Sequence, residues 1–112
     1  MSLRSFLKEM ESQKEVVHVK EAVSPRFEVS YVLKAVADGP IMLFENVEGY
    51  DAKIVGNVCG RRERICSALK VSKEEFYRRM IDAWRSPKPP KIVDDAPVKE
   101  VIEKPDLRKI PV

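Results

Sequence analysis

The sequence predicts an α+β domain: a small mixed sheet packed by about four helices, followed by an extended proline-rich tail. Three observations lead there. Apolar residues recur at helical spacing in four separate segments. Two runs, VVHVK at Val16 to Lys20 and IMLFE at Ile41 to Glu45, are β-branched or continuously apolar and read as strands. Six of the eight prolines fall between Pro87 and Pro111, where missing N–H donors and fixed φ angles oppose helix.

Each element has its own local reason. Ser2 caps a first helix in which Leu3, Phe6, Leu7 and Met10 form one apolar stripe, with Lys8, Glu9, Glu11 and Lys14 on the wet side. Ser24-Pro25 combines a capping hydroxyl with a proline at the first helical position, so a second helix is expected from there to about Ala37, burying Val29, Val32, Leu33 and Val36. Asp38-Gly39-Pro40 stops it, with a left-handed turn expected at the glycine. The run from Ile41 is apolar enough to be the central strand. A turn at Glu48 to Asp51 and a strand starting near Lys53 make a hairpin with it. Gly56 to Gly60 is a loop, and Arg61 or Arg62 opens a third helix reaching about Leu69. Ser72-x-x-Glu75 is a capping box for a fourth, whose apolar face is Phe76, Met80, Ile81 and Trp84. In the tail, Pro97 to Ile102 is expected to pair as an edge strand.

Composition bounds the function. At 112 residues there is room for one sizeable core. Net charge is +3 with both signs interspersed, too mild an excess to argue for nucleic acid. No apolar run approaches a membrane span, and the N-terminus lacks a signal-peptide core. A cytoplasmic location is therefore expected, with Cys59 and Cys66 as free, mostly buried thiols. Two cysteines and one histidine, without CxxC spacing, do not make a structural zinc site.

The sharpest local signal is Gly56-Asn57-Val58-Cys59-Gly60 followed by Arg61-Arg62-Glu63-Arg64. Glycines permit close backbone approach, a helix N-terminus offers free N–H groups, and forked guanidinium donors grip phosphate or carboxylate. One reading is an anion contact by Arg61, Arg62 and Arg64. The plainer one is a strand-to-helix turn whose arginines cap, pair or face water. The Gly-Lys-Ser/Thr ending of a phosphate loop is absent. Glu45, Glu48 and Asp51 are acid/base candidates, with turn capping by Asn46 and Asp51, and an arginine partner for Glu45, as the simpler roles. His18 falls on the polar face of its strand. Cys59 is the better placed thiol for a lowered pKa, but no histidine lies near it in sequence. Phe76 and Trp84 among Arg78, Arg79 and Arg85 read as a core face with a solvated basic flank.

The order of motifs resembles the UbiD-type decarboxylases, the family of 3-octaprenyl-4-hydroxybenzoate carboxy-lyase. Phe44-Glu45-Asn46-Val47-Glu48-Gly49, Val55-Gly56-Asn57 and Arg62-Glu63-Arg64 match its F-E-N-V-x-G, V-G-N and R-E-R elements, with Cys59 where phenylalanine is usual. Leu3 to Leu7, Glu15 to Val19, Pro87 to Val101 and Asp106 to Pro111 match further segments, so the likeness covers nearly the whole chain. It implies the N-terminal domain of a carboxy-lyase that uses prenylated FMN, with a divalent metal (Mn) and K+, to add or remove CO2 on an unsaturated or aromatic acid. The family's cofactor site, metal ligands and catalytic Glu-Arg-Glu network lie downstream of these motifs. No catalytic, cofactor-binding or metal-binding residue is therefore assigned here, and the chain alone is expected to be inactive. The composition shifts after Ser86, which sets residues 1–86 apart as the N-terminal domain and makes 87–112, by the resemblance, a connection toward a catalytic domain; the apolar end of Asp106 to Val112 reads as a cut end. Its partner would be the catalytic central domain of the same or a separate chain, in a homo-oligomer when full length. The compact DGPIMLFENVEGYD stretch looks archaeal, which implies an anhydromevalonate phosphate substrate in isoprenoid synthesis rather than quinone synthesis. Two alternatives stay open: a stand-alone small subunit beside a separate catalytic chain, and an anion- or nucleic-acid-binding module.

Overall fold

The computed structural model describes residues 2–111; Met1 and Val112, and with Val112 the end of the expected apolar terminus, lie outside the described residues. The elements run α1 (Leu3–Ser12), β1 (Val16–Val23), α2 (Glu28–Ala35), β2 (Ile41–Val47), β3 (Ile54–Gly56), α3 (Arg62–Leu69) and α4 (Phe76–Arg85), then two single 3₁₀ turns at Pro97–Lys99 and Leu107–Lys109. The sheet order is β1-β2-β3. β1 and β2 are parallel, and β2 and β3 antiparallel. Parallel neighbours need a crossover, which α2 supplies. The α+β class, the four helices and the mixed sheet with its central second strand are as the sequence predicts.

Alternation along β2 divides the core between the two faces of the sheet. Met42 and Phe44 pack with Val23 and Val29, under Val32 and Leu33 of α2 and Val36 just past its end; Val47, the last residue of β2, joins this cluster out of alternation. On the other face Ile41 packs with Phe6 and Met10 of α1, joined by Val16, Val55, Val58 and Ala68. Phe44 and Ile41 are completely buried. At about 25 cal/mol per Å2 of apolar area, each such side chain contributes about 2–3 kcal/mol. The Ser2 cap is present, its hydroxyl accepting from the Ser5 N–H.

Several local expectations are corrected. β1 extends to Val23, with a register shift between Val19 and Ala22. α2 begins at Glu28, not at Ser24-Pro25, because Ser24 closes a turn of its own. Its hydroxyl accepts from the Arg26 N–H at 3.3 Å, and its N–H donates to Glu28 Oε2 at 2.7 Å. Phe27, at φ 71°, then separates that turn from the helix. Gly39 does not take positive φ; the glycine that does is Gly49, at 81°, in the β2–β3 turn. Asn46 is a strand residue opposite Ala22, not a turn cap. Cys59 is exposed and only Cys66 is buried, both as free thiols. Pro97 to Ile102 is not an edge strand: Pro97–Lys99 forms a single 3₁₀ turn, and Val101 and Ile102 join no strand.

The largest correction concerns α4. The Ser72 hydroxyl accepts from the Glu75 N–H at 3.2 Å, but this closes a turn ahead of the helix: α4 starts at Phe76, and its N-cap Glu75 makes no side-chain cap bond. The apolar face also does not reach the core: no residue of α4 is buried, and Trp84 is 88% exposed. The radius of gyration is 17.3 Å, where about 13 Å is typical of a compact chain of this length.

Candidate functional site

The glycine loop after β3 and the arginines of α3 converge on the turn between α2 and β2. Asn57 takes the left-handed conformation, φ 59°, which asparagine tolerates better than most residues. Its side-chain amide donates to three carbonyls, of Val36 and Pro40 at 2.8 Å and Gly39 at 3.2 Å. These are groups left over where α2 ends. Arg64, one turn into α3, is 4% exposed. Its guanidinium donates to the Gly39 carbonyl, to the Asn57 carbonyl at 2.6 Å and to Glu15 Oε2 at 3.3 Å. Buried charge is tolerated where it is paired and hydrogen-bonded, and here it is both.

The two glycines have packing partners in the protein itself. A Cβ at Gly56 would lie 2.4 Å from Leu33 Cδ2, and one at Gly60 would lie 2.7 Å from the Ala37 carbonyl oxygen. Arg61 Nε donates to the Asp38 carbonyl at 2.6 Å, and Arg61 Nη1 lies 3.6 Å from Glu15 Oε1. Arg62 donates to the Tyr77 hydroxyl at 3.1 Å and lies over the rings of Tyr77 and Phe76. An open cleft of about 560 Å3 runs beside this hub, between Met10, Gln13 and Ser67. Its charged lining is Glu15, Asp38 and Glu63 against Arg61 and Arg64. With Arg64 fully engaged, the balance of that wall is acidic.

A second polar cluster lies on the same sheet face as α1, beyond the core contacts of that helix. His18 Nδ1 is 2.5 Å from Glu45 Oε1, His18 Nε2 is 3.3 Å from Glu11 Oε1, and Lys53 Nζ is 3.3 Å from Glu45 Oε2. Only a doubly protonated imidazole donates to both carboxylates. The hydrogen bond from His18, then that from Lys53, holds the Glu45 carboxyl below its ordinary value of 4.5. Glu45 thus pairs with a histidine and a lysine, not with an arginine. Strand parallelism makes this contact: His18 stands opposite Leu43, so Glu45 is its diagonal neighbour on the same face. The sequence signal was the strand alternation at both sites, but it could not say which strands are neighbours. Glu48 and Asp51 lie exposed around the hairpin turn, and Cys59 is exposed in the glycine loop. Among the described residues, no three His, Cys, Asp or Glu side chains converge to hold a metal. No helix among them is long and apolar enough to cross a membrane.

Residues 7–84 match the family model of the 3-octaprenyl-4-hydroxybenzoate carboxy-lyase N-terminal domain. The chain belongs to this family. The whole of this carboxy-lyase N-terminal domain chain is 35% identical to part of the anhydromevalonate phosphate decarboxylase of Methanosarcina mazei, covering 26% of that protein. Among solved structures, 99% of it superposes on the UbiD-class enzyme HmfF from Pelotomaculum thermopropionicum, in complex with FMN. The TM-score is 0.91 at 34% identity, over 26% of that chain. The vanillic acid decarboxylase of Sedimentibacter hydroxybenzoicus, in its closed form, matches 93% of the chain at TM-score 0.77 and 29% identity, over 24% of its own length. The carboxy-lyase N-terminal domain chain thus spans about a quarter of the relatives it matches. Its glycine loop and three arginines, the sharpest sequence signal, belong to the segment that the family model covers.

Proposed function

We propose that this chain is the N-terminal part of a prenylated-FMN-dependent decarboxylase, inert and without flavin on its own. The observation that carries this reading is the match along its whole length to about a quarter of a decarboxylase. Residues 1–86 are the folded domain, and residues 87–112 the connection toward a catalytic domain in the same or a separate chain. The full assembly is a homo-oligomer in the cytoplasm, using Mn and K+ with the cofactor. The substrate is anhydromevalonate phosphate, supported by the 35% identity to the Methanosarcina mazei enzyme.

The residues present do not fit a flavin phosphate. Gly56 is filled against by Leu33, and Gly60 by Ala37 and Asn57. Arg64 donates inward to carbonyls and Glu15, and the open cleft carries three carboxylates. The role proposed for Arg61, Arg62 and Arg64 is accordingly to brace the fold, in place of the anion contact that their spacing suggests. The bracing holds α3 against the α2–β2 turn, giving a rigid wall against which a catalytic body could be placed.

The test is a chimera in which residues 1–112 replace the matching quarter of the Methanosarcina mazei enzyme. Retained decarboxylation of anhydromevalonate phosphate, with no flavin bound by the 112-residue chain alone in an absorbance titration, is the expected result. Stoichiometric flavin binding by the isolated chain would overturn the reading.

A further inference from the structure

We propose that the apolar face of α4, together with the apolar side chains of the tail, is the seat of the larger body that makes up the other three quarters of the relatives. This rests on the functional reading above and specifies the surface through which it works. Four observations carry it.

The first is the face itself. Tyr77, Met80, Ile81 and Trp84 lie on one side of α4 at 59%, 49%, 51% and 88% exposure. Exposed single apolar residues are ordinary, but a contiguous stripe with aromatic members is the composition of an interface core. The second is energetic. A helix of ten residues is marginal in water without tertiary packing, and α4 buries none of its residues. Its anchors to the domain are Arg62 on Tyr77 and the Lys73–Glu63 pair at 2.5 Å at the start of the connection.

The third observation is the tail. Ile92, Val98, Val101, Ile102 and Leu107 are 72–90% exposed, so the tail does not cover α4 and is itself uncovered. The fourth identifies the occupant. This open arrangement is shared at TM-score 0.91 with the matching segment of a solved enzyme, over 99% of the present chain. In that enzyme the segment is 26% of the polypeptide, so a body about three times larger is joined to it. The flank of the stripe is basic, with Arg78, Arg79 and Arg85 against Asp82 alone. The matching surface is therefore an apolar patch with an acidic rim.

Hydrogen exchange read by mass spectrometry tests this in the isolated chain and in the chimera. Peptides over 76–85 should exchange at least a hundredfold more slowly in the chimera, while those over 41–47 are protected equally in both. Ile81→Glu with Trp84→Glu should restore fast exchange over 76–85 and leave 41–47 unchanged. Equal exchange over 76–85 in the two contexts, with 41–47 protected, overturns the proposal. Concentration-dependent protection of α4 in the isolated chain, with a doubled mass in sedimentation, assigns the face to a second copy and overturns it too. Loss of 41–47 protection in the chimera alone means that the larger body does not accept this chain, and overturns both readings. A chimera that protects α4 but lacks decarboxylase activity removes the functional reading and leaves the docking assignment standing.

Discussion

Arg64 of α3 and Asn57 of the glycine loop donate to the same acceptor, the carbonyl oxygen of Gly39. That oxygen lies in the turn between α2 and β2, so one carbonyl gathers the C-terminal end of one helix, the loop before another and the strand at the centre of the sheet. Glu15, 49 residues before Arg64, closes the arrangement from the start of β1.

Removing the guanidinium leaves the Asn57 carbonyl with the Gly60 N–H alone, at 3.2 Å, and the Gly39 carbonyl with the Asn57 amide alone. Arg64→Ala should cost about 3 kcal/mol in urea unfolding, from three lost charged hydrogen bonds and the breaking of the partly buried pair with Glu15. Arg64→Lys should recover only part of it, since a single ammonium cannot span the three acceptors as a planar fork does. A loss below about 1 kcal/mol for Arg64→Ala would show that the hub is not a structural brace.

Asn57 combines a backbone and a side-chain role, and two substitutions separate them. Asn57→Gly keeps access to φ 59° and loses the three side-chain bonds, for an expected loss of about 1–2 kcal/mol. Asn57→Ala adds the left-handed penalty, about 1 kcal/mol more. Equal destabilisation by the two variants would remove the backbone part of this account.

Gly56 tests the packing of the loop. Gly56→Ala places its methyl 2.4 Å from the end of Leu33, so it should destabilise by about 1–3 kcal/mol. Because the clash is with a side chain and not with backbone, Leu33→Ala in the same chain should absorb it. The double variant should then be less destabilised than the two single losses summed, a coupling readable in a double-mutant cycle.

Glu45 predicts a pH dependence whose sign follows from its hydrogen bonds. Its folded carboxyl titrates below the ordinary value of 4.5, chiefly through His18 and then Lys53. The stabilisation is therefore present above 4.5 and is lost as pH falls through the lowered folded value. Melting temperature should fall on acidification in that window, and Glu45→Gln should flatten the slope there. An unchanged slope in the variant would assign the acid response to other carboxylates.

Phe27 holds φ 71° while the residue is 76% exposed. An aromatic residue is strained there and gains little from burial. Phe27→Gly should raise stability by about 1 kcal/mol in thermal or urea unfolding. A loss of stability would mean that the Arg26–Phe27 stacking contributes more than the backbone strain removes.

The sequence by itself determined the class, the number of helices, the central strand, the hairpin and the family. Each is written in local periodicity, turn residues or motif order, which need no knowledge of distant neighbours. The match of residues 7–84 agrees with the resemblance read from the motifs between Phe44 and Arg64. Only the tertiary structure decided what those motifs touch. Arg64 reads as a surface cation until it is seen sealed under three acceptors, and Glu45 finds His18 only because β1 lies parallel to β2. The same limit misplaced the fourth helix. Its 3.6-residue stripe shows which side is apolar, but periodicity does not say what meets that side, and among the described residues nothing buries Trp84.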